Sequence, residues 1–350
     1  MRECTMVSIY SDKGLTGLTN LGNTCYINSC MQILSNLHNF NEYISLFLQN
    51  TKTEPEDVNI LFLREWNDLR ELMWRKNVVV SPVRFIKVIQ IISRMKNQDM
   101  FTAYEQNDVT EFLYFLLECF HQGMKSYDTS LETAFYNSLK KKRSEAYTKS
   151  VMQTLRNEFS FINVLFQGIF VYEMVDRKTR KKMSKRLEPF RMLDVTLIST
   201  DLEECIQNYF ENEEFNEENG NQYFDDTRNI KVDAYKKVKI FYLPNILFIH
   251  LKRWNNQMKK NQRIIHYSTE SLDLTSYVSK EMKTNNETYK YDLQGIINHS
   301  GNIYGGHYTS VNKNENGKWY HFNDCVIKEI QEKHIKSNKN YVLVYKLQSS

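Results

Sequence analysis

Near residue 160 the hydrophobic period of this 350-residue chain changes from that of helices to that of strands. Before that point apolar residues recur every three or four positions. Residues 25–40 place Tyr26, Cys30, Ile33, Leu34 and Leu37 on one helical face, and residues 58–76 do the same with Leu63, Trp66, Leu69 and Met73. Ser81-Pro82 reads as a cap followed by proline at the first helical position, opening a helix that runs to about Met95. Asn107 or Asp108 caps a further helix with Val109, Phe112, Leu113, Leu116 and Phe120 inward. After residue 160 the alternation is of period two, in VLFQGIFVYEMVD (164–176), RNIKVDAYKKVKIFYL (228–243), NILFIHLKRW (245–254), KYDLQGIINHS (290–300), GHYTSVNK (306–313), KWYHFND (318–324) and NYVLVYKL (340–347). A short helix near 201–210 interrupts them, with Thr200 and Glu203 spaced as a capping box. Helices followed by mostly antiparallel strands predict the α+β class, with a helical N-terminal half and a C-terminal half of strands.

Composition narrows the function. The chain is 41% hydrophobic and 25% charged, which is globular. A net charge of +4, from 46 basic and 42 acidic residues, is too even to predict nucleic-acid binding. No stretch approaches the roughly 20 apolar residues of a membrane span, and the first residues hold no apolar run long enough for a signal peptide. No membrane association is expected, and the expected location is the cytoplasm, the nucleus or both. The six cysteines, Cys4, Cys25, Cys30, Cys119, Cys205 and Cys325, are scattered with no C-x-x-C pair, as expected of reduced thiols. The basic runs KKKR (140–143) and RKTRKKMSKR (177–186) and the acidic run ENEEFNEEN (211–219) read as solvated loops and hairpin tips, with a docking patch for an acidic partner as the sharper alternative.

One cysteine stands apart by position. Asn20-Leu21-Gly22-Asn23-Thr24-Cys25 delivers a thiol from a glycine-containing turn to the start of an amphipathic helix. A free thiol, of pKa about 8.5, is mostly protonated at neutral pH. The helix N-terminus and a nearby imidazole are the two devices expected to lower that value. The first helical N–H groups are also free to hold a developing oxyanion, helped by a side-chain amide such as Asn20. The competing reading is a small core residue, and Cys30, on the apolar face, takes that role. Among the eight histidines, His307 follows two glycines, Gly305 and Gly306, at a strand entry. Asn323 and Asp324 end another strand, and either can fix an imidazole tautomer. His250 reads as a packed strand residue, and His321 as facing away from Asn323.

GLTNLGNTCYINSCMQIL (17–34) resembles the cysteine box of the ubiquitin-specific proteases, and YDLQGIINHSGNIYGGHYTSVNKNENGKWYHFNDCVI (291–327) resembles their histidine box. Between them EQNDVTEFLYFLL (105–117) and LPNILFIHLKRW (243–254) are similar to two further family segments, and NYVLVYK (340–346) to its last strand. The motifs keep the family's order. The resemblance implies a papain-like thumb, palm and fingers, and one catalytic domain over 1–350: a helical thumb over about 17–160, fingers and palm strands over about 161–245, and palm with histidine box over about 246–347.

It also implies roles. Cys25 would be the nucleophile on the carbonyl of ubiquitin's last glycine, and His307 the general base, then acid. Asn323 would be the third residue, Asp324 an acid beside it, and Asn20 the oxyanion donor. Asp108, and Glu111 with it, would pair the basic ubiquitin tail, while His299, Gly305, Gly306 and Tyr308 would line its slot; for His299 a structural role stands equally open. Ubiquitin and ubiquitinated proteins are the implied partners, the chain acting as a monomer without cofactor. The two C-x-x-C pairs that hold a finger zinc in many members have no counterpart in 171–190 or 221–232, so no metal is expected there and the fingers should be held by strand pairing alone. The alternatives are a catalytically weak ubiquitin or ubiquitin-like binding module of the same fold, and a papain-like or transglutaminase-type enzyme with another substrate.

Overall fold

The computed structural model describes residues 10–51, 57–97, 99–101, 105–125, 130–155, 159–283, 287–302 and 305–348. Cys4 and Tyr304 lie outside them. In chain order the helices are α1 (Cys25–Ser35), α2 (His38–Asn50), α3 (Val58–Arg75), α4 (Val83–Met95), α5 (Val109–Met124), α6 (Ser130–Lys142), α7 (Glu145–Leu155), α8 (Phe161–Phe166) and α9 (Leu202–Tyr209). The strands are β1 (Gly17–Leu18), β2 (Val79–Val80), β3 (Gly168–Asp176), β4 (Lys182–Phe190), β5 (Met192–Thr196), β6 (Glu213–Phe215), β7 (Tyr223–Asp225), β8 (Ile230–Val232), β9 (Ala234–Tyr242), β10 (Ile246–Lys252), β11 (Leu272–Asp273), β12 (Lys290–Asn302), β13 (Gly305–Lys313), β14 (Trp319–Asn323), β15 (Val326–Ile330) and β16 (Asn340–Leu347). The chain forms two compact units: Met1–Lys125 with Phe248–His266 and Leu293–Tyr345, and Ser126–Leu247 with Tyr267–Asp292 and Lys346–Ser350.

In the first unit α1 is sheathed by protein on every side, all eleven of its residues being buried. Its polar residues therefore need partners. Gln32 donates to the Thr16 carbonyl at 2.8 Å, and Asn312 donates to the Gln32 carbonyl at 3.1 Å. The helix expected over 25–40 is broken after Ser35. The cause is Asn41, whose buried amide donates to the carbonyls of Leu34 and Leu37 at 2.8 Å and of Ser35 at 3.2 Å, so the last carbonyls of α1 are satisfied and the chain turns. Trp66 Nε1 donates to Asn41 Oδ1 at 2.9 Å and locks the amide. Around this corner Phe40, Phe62, Trp66, Phe85 and Phe120 interlock at ring separations of 4.8–5.4 Å. Each fully buried phenylalanine contributes roughly 1.5–3 kcal/mol. Two helix starts shift by a residue. Pro82 occupies the cap position of α4, with no side-chain cap from Ser81, and Asp201, not Thr200, caps α9 by accepting from the N–H groups of Glu203 and Glu204.

The strands of this unit run in the order β15-β14-β13-β12-β16-β10. β12, β13, β14 and β15 are successive antiparallel neighbours, with His299 opposite Tyr308 and Ser300 opposite His307. Helix α1 packs on β13, bringing the start of the chain to the histidine box.

The second unit is built on a four-stranded antiparallel sheet, β4-β3-β9-β6, beside the hairpin β7-β8. Here the charge runs are more structured than solvated loops. Residues 177–181 do form a hairpin tip, but 182–186 belong to β4, and Glu213–Phe215 pair with β9. Arg143 of KKKR is an inward residue that pairs with Glu287 and donates to the Tyr289 hydroxyl at 2.8 Å.

Strand pairing is not the whole of what holds β3, β4, β7 and β8, where the fingers were expected. Asp176 closes the β3–β4 turn, its Oδ1 accepting from the N–H groups of Lys178 and Thr179 at 3.0 and 2.8 Å. Asp225 closes the β7–β8 turn in the same way with Thr227 and Arg228 at 2.9 and 3.2 Å. The remaining oxygens face one guanidinium: Arg228 Nη2 lies 2.8 Å from Asp176 Oδ2, and Nε lies 2.5 Å from Asp225 Oδ2. Both carboxylates are buried, a placement tolerated when charge and hydrogen bonds are matched. The Thr179 N–H and then Arg228 hold the Asp176 carboxyl down at about 2, from an ordinary value of 3.8. Because its folded value is depressed, its contribution is present above the ordinary carboxylate range and is lost as pH falls through about 2. Replacing Arg228 by Met should speed amide exchange at Thr179 and at Arg228's own position by about tenfold or more while β3 and β9 stay protected, as read by hydrogen exchange. Unchanged exchange at both turns would mean that strand pairing suffices.

Candidate active site

The turn before α1 is organised by one side chain. Asn20 Oδ1 accepts from the N–H groups of Gly22 and Thr24 at 3.0 and 3.1 Å, and the Leu21 N–H donates to Thr24 Oγ1 at 2.9 Å. Gly22 and Asn23 take the left-handed region, at φ 100° and 54°, which a glycine and an asparagine accept at least cost. The chain emerges with Cys25 as the first residue of α1.

Cys25 is only 3% exposed. The N–H of Tyr308, the residue after His307, donates to its sulfur at 3.5 Å. Among the described residues the thiol is bonded by this N–H and not by the imidazole. Burial pushes the thiol's pKa up; the Tyr308 N–H pulls it down, Asp324 pushes it further up, and the N–H groups of Tyr26 and Cys25 at the helix start pull it down. The balance is upward, contrary to the lowering expected of a helix N-terminus. Desolvation of a buried anion outweighs the helical N–H groups.

His307 Nε2 lies 2.6 Å from Asn323 Oδ1. An amide oxygen only accepts, so Nε2 carries the proton and Nδ1 is left with its lone pair, the form a general base requires. Asp324 is differently employed. Its Oδ2 is 3.9 Å from His307 Nε2, beyond hydrogen-bond reach, but accepts from Asn20 Nδ2 at 3.0 Å. Its Oδ1 accepts from Asn28 Nδ2 at 2.7 Å. Asp324 takes φ 48°, the left-handed conformation that turns its carboxylate away from the line of β14. Asn28 was not anticipated. Its signal is a polar residue three positions after Cys25, one turn along the same helix face.

His321 does not face away from Asn323: two residues apart on β14, they share a face, and His321 Nε2 lies 3.0 Å from Thr309 Oγ1. His250 is packed as expected, edge-on to the Tyr341 ring at 4.8 Å.

Asp108 is first a helix cap. Its Oδ1 accepts from the N–H and hydroxyl of Thr110 at 2.7 and 2.5 Å, and its Oδ2 from the Tyr341 hydroxyl at 2.8 Å. Glu111, in the first turn of α5, is exposed. His299 is buried, its ring 4.7 Å from that of Tyr308, and Lys260 lies against it. Burial, then the Lys260 charge, lowers its pKa to about 4, so it is neutral at physiological pH. The Gly306 N–H donates to Gln106 Oε1 at 2.7 Å. Gln106 lies inside the 105–117 motif but was not among the expected site residues.

The structure thus brings Asn20, Cys25, His307, Tyr308, Asn323 and Asp324 into one constellation, with Asp108, His299, Gly305 and Gly306 in the same unit. The sequence profile of the family "Ubiquitin carboxyl-terminal hydrolase" matches residues 16–345. A probable ubiquitin carboxyl-terminal hydrolase of Acanthamoeba polyphaga mimivirus is 26% identical over 95% of this chain and 90% of its own length. The Usp2 ubiquitin carboxyl-terminal hydrolase of Drosophila melanogaster is 29% identical over 95% of this chain, which spans only 35% of that protein. Among solved structures, the SAGA DUB module of Ubp8, Sgf11, Sus1 and Sgf73 bound to monoubiquitin aligns with a TM-score of 0.74 at 21% identity, over 96% of this chain and 70% of the other, which establishes the same papain-like thumb, palm and fingers fold. The chain belongs to the ubiquitin carboxyl-terminal hydrolase family, as one of its ubiquitin-specific proteases.

Proposed function

We propose that this chain is a thiol-dependent deubiquitinase that hydrolyses the isopeptide or peptide bond after the C-terminal glycine of ubiquitin. The observation that carries the reading is the Tyr308 N–H on the Cys25 sulfur, which sets the thiol against the strand of the imidazole. In this mechanism His307 Nδ1 takes the thiol proton as sulfur attacks the glycine carbonyl carbon. The Cys25 N–H and the second hydrogen of Asn20 Nδ2 hold the oxyanion. His307 returns the proton to the leaving lysine amine, and a thioester remains. Water then adds, giving its proton to His307, and the C–S bond breaks to release the ubiquitin carboxylate and the thiol. With the free thiol's pKa raised, His307 acts as a general base rather than as one half of a standing ion pair.

Asn323 and Asp324 divide the supporting work. Asn323 sets the tautomer of His307, and Asp324 aims the amide of Asn20 while Asn28 braces it. Asp108 and Glu111 would meet the basic ubiquitin tail, Asp108 through the acceptor capacity its cap leaves, and the finger strands would hold the globular body. All the catalytic residues come from one chain, so a monomer suffices. The cytoplasm and nucleus are the compartments that keep such a thiol reduced.

Steady-state hydrolysis of ubiquitin carrying a C-terminal fluorophore tests the reading, with Cys25→Ala or His307→Ala expected to abolish turnover. Asn20→Ala should lower kcat by about 10²–10³-fold with KM little changed. Asp324→Ala should fall within about tenfold of Asn20→Ala, and the double variant should be little worse than Asn20→Ala alone, because the two residues act as a unit. Additive losses would separate Asp324 from the oxyanion donor. Asn323→Ala should instead move the pH profile of kcat, since it frees the imidazole tautomer. In the free protein, alkylation of Cys25 by a small neutral reagent should still be rising at pH 9, above the ordinary thiol range, because burial pushes the thiol up. A plateau below neutrality would show a preformed thiolate–imidazolium pair.

A further inference from the structure

A lysine is held against His299, and among the described residues no carboxylate pairs with it. Lys260 follows β10 in a loop that is closed on itself. Trp254 and Lys260 form an antiparallel bridge, and Asn255 Oδ1 accepts from the N–H groups of Gln257 and Lys259 at 3.0 and 2.9 Å. The loop is anchored below by the buried Arg253, which donates to the carbonyls of Asn340, Asn261 and Arg263 at 2.5, 2.9 and 2.9 Å. Lys260 is thereby presented in one place, its ammonium 5.6 Å from the Trp254 ring centre. Its Nζ lies 2.8 Å from His299 Nδ1 and 2.8 Å from the His299 carbonyl oxygen. Among the described residues it makes no salt bridge. Burial, then Arg253 and Lys339, lower its pKa to about 8. A surface lysine would turn to water rather than accept that environment.

An ammonium can only donate. His299 Nδ1 must accept, so the ring carries its proton on Nε2. That edge of the ring lies under Gly306: a Cβ there would overlap His299 Nε2 and the Ser300 carbonyl, so only glycine fits. Gly306 is gripped from above by Gln106 and is followed by His307. We propose that Lys260 is a positioning residue for the reaction, fixing the tautomer and seat of His299 and, through Gly306, the backbone that carries His307. The proposal rests on the deubiquitinase reading above.

The test combines kinetics on the fluorogenic ubiquitin substrate with ¹⁵N–¹H spectra of the protein labelled on its histidine rings. In the wild type His299 should show an unprotonated, hydrogen-bonded Nδ1 and a protonated Nε2. Lys260→Met should collapse that pattern toward a tautomer mixture and lower kcat about 10–100-fold with KM within about twofold. Lys260→Arg, which can donate to both acceptors, should restore most of the loss. Full turnover in Lys260→Met, no rescue by Lys260→Arg, or a His299 spectrum that Lys260→Met leaves unchanged would overturn the proposal. A wild type that shows the expected His299 pattern but no turnover would instead overturn the functional reading, and the positioning role with it.

Discussion

The seating of the α1 N-terminus on β13 is the contact on which the rest of the first unit depends. It joins residues 283 positions apart, Cys25 and Tyr308, and so closes nearly the whole chain on itself. Contacts of that separation carry a large loop-closure cost before they return anything. What offsets it is burial: α1 is wrapped on every side, and its polar groups Asn28 and Gln32 are spent on the turn and strands around it. The same burial makes the thiol reluctant to ionise. Fold stability and thiol ionisation therefore pull in opposite directions at Cys25, and the N–H groups at the helix terminus do not by themselves offset the burial.

Adjacent residues in the histidine box serve different partners because of backbone geometry. Asn323 ends β14 and points along the sheet to His307, whereas Asp324 turns left-handed and reaches the cysteine turn. One strand end thus supports both His307 and Asn20. The site is held from several directions: Asn28 from the helix, Gln106 from the segment before α5, and Lys260 from the loop after β10.

Much of this was legible in the residues. The change of period near 160 separated the helical part from most of the strands, and 340–347 was read to the residue, but 164–166 belong to α8 rather than to a strand and 228–243 divides into β8 and β9. Asn20, Cys25, His307, Asn323 and Asp324, singled out because their residue types carry recognisable chemistry, do lie together in the fold. What stayed hidden depends on tertiary partners. The break after Ser35 is made by Asn41, whose amide has no local pattern that distinguishes it from a surface asparagine. Strand β4 was obscured because its charged side chains resemble a solvated run, and Arg143 because its acid lies at Glu287. The raised thiol pKa depends on how completely α1 is covered, and Arg228 on two turns that only the fold brings together.

The central claim is that this buried thiol attacks the end of ubiquitin. Intact-mass and peptide mapping after incubation with ubiquitin bearing a C-terminal alkyne tests it most directly. The account predicts one ubiquitin per chain, bonded at Cys25 and absent in Cys25→Ala, although Cys325 is the more exposed thiol. No adduct, or one mapped to Cys325 that survives in Cys25→Ala, would contradict it.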